Sequence, residues 1–124
     1  MTVAYWCILV AALLPYLFVG IAKSAGGYDN RDPRAWLAQR EGLHARAHAA
    51  QLNGYETFPA FAAAVIVAHV TGGAAQGTID TLAVAYVLLR VAYGAAYVTD
   101  RATARSLLWT GAQGCMIGLF VAAA

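Results

Sequence analysis

Charge is scarce in this sequence. Eight Lys and Arg and six Asp and Glu give 11% charged residues in a 124-residue chain that is 61% hydrophobic. A soluble domain carries charge on about a quarter of its residues, so this composition cannot cover a globular surface facing water on all sides. Part of the solvent is lipid. The net charge of +2 is too small and too scattered to suggest a nucleic-acid partner. Cysteine is also scarce. Cys7 and Cys115 each lie inside an apolar stretch, which excludes a disulfide framework and leaves two small buried thiols. His44, His48 and His69 have no ligand spacing, so no metal site is expected. A basic stretch ahead of the first apolar run is missing as well. Its flanking Lys23 comes after the run, so the segment reads as an uncleaved first span and not as a secretory signal.

What the chain does contain is four long apolar runs. Residues 3–22 have no charge, and residues 47–70 hold only Glu56 and two histidines. Residues 78–98 contain Asp80 and Arg90, and residues 106–124 are uncharged. About 20 residues at roughly 1.5 Å rise cross a hydrocarbon layer of ~30 Å. Alanine and leucine dominate and alternation is absent, which calls for helices. The expected fold is all-α: an integral membrane four-helix bundle in a single domain, residues 1–124.

The connections separate the basic residues by side. Lys23, Arg31, Arg34, Arg40 and Arg46 lie between the first and second spans, and Arg101 and Arg105 between the third and fourth. The stretch "TGGAAQG" (71–77) and both termini have no Lys or Arg. Basic loops stay in the cytoplasm, so both termini are expected on the non-cytoplasmic side, as in a bacterial inner-membrane protein. Within the long first loop, Pro33 suits a first helical position, and "RAWLAQREGLHARA" reads as a helix running on into the second span, weakened at Gly42. Tyr5, Trp6, Trp36 and Trp109 are expected as interfacial anchors, and Asp80 as an exposed helix-start residue.

The stretch "HAAQLNGYETFPAF" (48–61) places Asn53 and Glu56 three residues apart on one helical face. Spacings of three and four extend that face through Arg46, Ala49, Asn53, Glu56, Ala60 and Ala63. Its small residues point it toward the bundle interior. Pro59 frees the carbonyl of Tyr55 just beyond. On the third span, Tyr86, Arg90, Tyr93 and Tyr97 form a second polar stripe. An arginine at depth cannot shed its proton and needs an anion. Glu56 lies at a comparable depth, so an Arg90–Glu56 contact is expected, within or between subunits. A structural ion pair that only fixes register is the plain alternative. Ionisable groups inside membranes are more often functional.

"AAQLNGYETFPAF", with "RVAYGAAY" on the third span and "RATARSLLW" before the fourth, resembles the MAPEG superfamily, the membrane-associated proteins in eicosanoid and glutathione metabolism. The shared pattern is Asn-x-x-Glu-x-x-Pro-x-Phe, and the likeness covers the whole chain. The short bacterial members look closest. The resemblance implies a homotrimer binding glutathione between subunits at the cytoplasmic side, with transferase or peroxidase chemistry on lipophilic electrophiles. It places Asn53 and Glu56 on the tripeptide backbone, with Arg90, Tyr93 and Tyr97 from the third span. Arg105, or else Arg101, would stabilise the thiolate. The chain departs from the family where an arginine usually stands four residues before the asparagine; here it has Ala49, with Arg46 one turn below on the same face. Thr57 replaces the usual tyrosine or asparagine after the glutamate.

Two other classes fit the composition. A non-catalytic membrane subunit with the same fold would account for Ala49. A small multidrug transporter also has four short spans and an intramembrane carboxylate. Its essential carboxylate, however, belongs on the first span, which is uncharged here, and an arginine paired with Glu56 would defeat a proton switch.

Overall fold

The computed structural model describes residues 1–124 and is entirely helical. Its elements are α1 (Val3–Lys23), the short α2 (Pro33–Ala38), α3 (Gly42–Thr71), α4 (Gln76–Val98) and α5 (Ala102–Ala123). Of these, α1, α4 and α5 are long and apolar enough to cross a membrane. The 30 residues of α3 make a rod of about 45 Å, whose first half carries the polar groups.

Local chemistry sets the helix ends. Thr2 caps α1 by accepting from the Tyr5 amide, and Asp32 caps α2 by accepting from the Ala35 amide at 3.2 Å. Pro33 occupies the first turn of α2. The loop helix α2 and α3 are not one continuous helix. α2 stops at Ala38, and the chain restarts at Gly42, whose φ of 55° lies in the left-handed region. Glycine enters that region without strain. Gly42 is therefore a break between two helices and not a soft point inside one.

α1 packs mainly on α3 and α4 mainly on α5, with α1 and α3 both touching α4 and α3 also touching α5. Neighbours run antiparallel. At one end, the first turn of α1 meets the last turn of α3; at the other, His44 hydrogen-bonds the Ile21 carbonyl at 2.9 Å. The core is largely alanine: Ala4, Ala11, Ala64, Ala68, Ala83, Ala112 and Ala123 pack around Phe61, Val65, Ile79, Tyr86 and Leu119. The large aliphatic residues point outward, among them Leu13 and Leu17 on α1, Leu88 on α4, and Leu107 and Val121 on α5. Small residues inside and large ones outside is the arrangement of helices that pack closely in lipid.

Two glycines permit the closest approaches. A Cβ on Gly54 would lie 2.7 Å from the Pro15 ring, and one on Gly94 would lie 1.8 Å from the Phe18 ring. Both hold α1 against its neighbours.

The end lacking Lys and Arg is tied by polar contacts. His69 Nδ1 lies 2.7 Å from the Val65 carbonyl, so Nδ1–H donates and Nε2 is left to accept from Thr2 Oγ1 at 3.0 Å. Tyr5 stacks on the His69 ring with centroids 4.2 Å apart. Asp80 Oδ1 accepts from the Ala4 amide and from Gln76 Nε2, each at 2.9 Å. Asp80 is thus half-buried and joins α4 to the start of α1, correcting its expected exposure; Tyr5 likewise packs on a neighbouring helix. Asp80→Ala leaves the Ala4 amide without its acceptor, which costs about 1–3 kcal/mol when the group is buried. We expect a lower melting temperature and faster amide exchange at residues 3–6. Unchanged exchange there would mean that water replaces the carboxylate.

At the opposite end the first loop folds back over the bundle. Trp36 and Leu37 are buried with Ala22 and Ala47. Tyr28 meets the Trp36 ring edge-on, and Arg40 stacks over it at 3.9 Å. Trp36 therefore closes a small core instead of anchoring in the interface, whereas Trp6 and Trp109 do face outward.

Candidate functional site

The polar residues of α3 and α4 meet at the level of Asn53. Arg90 is only 4% exposed. Its Nη2 donates to Asn53 Oδ1 at 2.9 Å, and Asn53 Nδ2 donates to Glu56 Oε2 at 3.3 Å. Within one chain the expected Arg90–Glu56 contact is replaced by a relay through the Asn53 amide. The cause is reach. Arg90 is enclosed by α1, α3 and α4, while Glu56 sits one helical turn beyond Asn53 on an exposed part of α3. Arg90 Nη1 is buried without a partner.

From Arg90 the arrangement continues along α4. The guanidinium lies over the Tyr93 ring at 4.2 Å, a cation–π contact. Tyr93 meets Tyr97 edge-to-face with centroids 5.6 Å apart. Arg105, from the first turn of α5, lies over the Tyr97 ring at 4.4 Å. The spacing of Arg90, Tyr93 and Tyr97 on one face, and the short α4–α5 turn at residues 99–101, bring these groups into line. Asp100 adopts a φ of 60° in that turn.

Arg105 lines an open cavity of about 340 Å³ with Tyr93, Ser106, Trp109 and Thr110. Trp109 and Thr110 were not anticipated as lining. The spacing of Arg105, Ser106, Trp109 and Thr110 along one helical face is the signal that could have found them. Arg101 is exposed at the start of α5 and does not line the cavity. Asn53 and Glu56 do not line it either. One chain therefore presents two polar surfaces joined through Arg90, not a single enclosed pocket.

The remaining predicted residue is placed elsewhere. Arg46 Nε donates to the Val98 carbonyl at 3.2 Å, supplying a charged donor to the last turn of α4. It does not reach up toward Ala49. Thr57 Oγ1 hydrogen-bonds the Asn53 carbonyl at 3.0 Å, and Tyr86 stacks face-to-face on Phe61 at 3.8 Å. The stack packs α4 against α3 just beyond Pro59. No group of His, Cys, Asp and Glu is arranged to hold a metal ion.

The chemistry available is thus a carboxylate and amide on α3, a buried guanidinium behind them, and a second guanidinium beside two phenols at the mouth of an open cavity. Comparison with curated proteins yields no match. The model of the MAPEG family matches residues 3–124, and this all-helical membrane chain, with its Asn53–Glu56 and Tyr93–Tyr97–Arg105 groups, belongs to that family.

Proposed function

We propose that this protein binds glutathione and stabilises its thiolate for attack on lipophilic electrophiles, as a glutathione transferase or peroxidase. The observation that carries this reading is Arg105, held over Tyr97 at the mouth of the cavity that it shares with Tyr93 and Trp109. A free thiol has a pKa of about 8.5, and an adjacent guanidinium favours the thiolate. Trp109 and the outward aliphatic residues of α5 put that thiolate beside the bilayer, from which an apolar acceptor would arrive.

In this reading α3 is a fourth span, both termini are outside, and the basic end faces the cytoplasm of a bacterial inner membrane. The two polar surfaces of one chain belong to different sites of a homotrimer. Asn53 and Glu56 of one subunit then face the Arg105 cavity of the next. Asn53 offers an amide N–H and Glu56 a carboxylate, a pair complementary to the C=O and N–H of a peptide unit. Basic residues of the first loop, such as Arg31 and Arg34, are exposed and available to the carboxylates of the tripeptide.

The test is glutathione binding to detergent-solubilised protein, with thiolate read by ultraviolet absorbance at neutral pH. We expect a thiolate signal in the parent and its loss in Arg105→Ala, with assembly unchanged. A thiolate signal that survives Arg105→Ala removes Arg105 from the activating role. No binding at millimolar glutathione would favour a second reading, a non-catalytic membrane subunit. One observation supports that alternative: Arg46, the cation nearest to the missing family arginine at Ala49, is committed to the Val98 carbonyl.

A further inference from the structure

Asparagine is the one polar residue at this site whose donor and acceptor can exchange places by a simple rotation. Which atom faces outward decides what the site recognises. Two neighbours act on it, and both favour Oδ1 toward Arg90 and Nδ2 toward Glu56. Glu56 lies on an exposed part of α3 and meets the amide at 3.3 Å, a long contact. Arg90 is 4% exposed and meets it at 2.9 Å. A guanidinium has only donors, so the atom facing it must be Oδ1. Both contacts involve a charged group, and the shorter, buried one is the stronger.

Arg90 is itself held in one position. Its guanidinium lies over Tyr93 at 4.2 Å, and the space around it, bounded by Pro15, Phe18, Gly54 and Tyr86, amounts to about 10 Å³. That is room for about one water molecule. The arrangement is also poor as a device for stability alone. Nη1 has no partner, the acceptor at Nη2 is neutral, and apolar residues commonly replace buried charges without loss.

We propose that Arg90 is a positioning residue. By holding Asn53 Oδ1 inward, it turns the Asn53 amide N–H outward beside the Glu56 carboxylate and so fixes the donor–acceptor polarity of the site. Arg90 touches no ligand and acts through Asn53. The ligand consequence rests on the glutathione reading above, but the orientation of the amide does not.

The test uses the full chain in detergent micelles. The side-chain amide of Asn53 is followed by ¹⁵N–¹H correlation in the parent, Arg90→Met and Arg90→Gln. Methionine keeps length and flexibility but cannot donate, whereas glutamine can still donate to Oδ1. We expect one sharp Asn53 pair in the parent, a shifted and broadened pair in Arg90→Met, and recovery toward the parent in Arg90→Gln. An Asn53 signal unchanged in Arg90→Met would overturn the proposal. Should Arg90→Met fail to fold, Asn53→Asp decides the matter, because it leaves Arg90 an acceptor and turns the outward donor into a second carboxylate oxygen beside Glu56. It should fold like the parent and bind glutathione at least about tenfold more weakly. Parent-like binding by Asn53→Asp overturns the polarity argument. If the parent itself binds no glutathione, the functional reading fails while the amide signal still decides the role of Arg90.

Discussion

Asn53→Leu should melt far below the parent protein, whereas Glu56→Ala should melt close to it. Leucine has the branched outline of asparagine and is larger, so the substitution opens no cavity in α3. It removes the acceptor of a guanidinium that is 4% exposed and already has one unpartnered nitrogen. Leaving a buried donor without its acceptor costs about 1–3 kcal/mol, and more when the donor is charged. Glu56 is exposed and touches the Asn53 amide at 3.3 Å; its removal leaves nothing buried unsatisfied. Thermal unfolding of both variants in the same detergent separates the two effects. Adding Arg90→Met to Asn53→Leu should recover most of the loss, since the stranded charge is then gone. Equal damage from Glu56→Ala would return the counter-ion role to Glu56, reached from a second copy of the chain.

The second large effect is steric. In Gly94→Leu, the new side chain must start where the Phe18 ring now lies, since its Cβ would be 1.8 Å from the ring. Phe18 is buried on α1 one turn from Pro15, which is itself pressed against Gly54 at the distance only a glycine allows. Either the ring must turn away or α1 must move off α4. Overpacking of this kind costs about 1–3 kcal/mol, and here it also loosens the wall behind Arg90. We expect a lower melting temperature, with Gly94→Ala lying between Gly94→Leu and the parent. Phe18→Ala added to Gly94→Leu should recover stability, because the leucine fills the space that the ring vacates. If Gly94→Leu alone melts like the parent, the close α1–α4 approach is not a determinant of the fold.

Much of this protein was determined by the sequence alone. Its low charge and four apolar runs dictate helices in lipid, because backbone groups there must satisfy one another within each segment. The three- and four-residue spacings place Asn53 with Glu56, and Arg90 with Tyr93 and Tyr97, since helical periodicity is a local property. Which of these residues meet depends instead on how the helices pack. Equal depth made Glu56 the natural partner of Arg90, but depth says nothing about rotation around the helix axis, and that rotation is set by the contacts of Gly54 with Pro15 and Gly94 with Phe18. Those contacts bring Asn53, not Glu56, to the guanidinium. Asp80 looked like a solvated helix start for the same reason: the Ala4 amide that it binds is 76 residues away in sequence. Arg46 shares the face of Asn53 by periodicity, yet the end of α4 lies closer and takes its Nε. Periodicity fixes which face a residue occupies, whereas its partner depends on how helices distant in sequence rotate and pack.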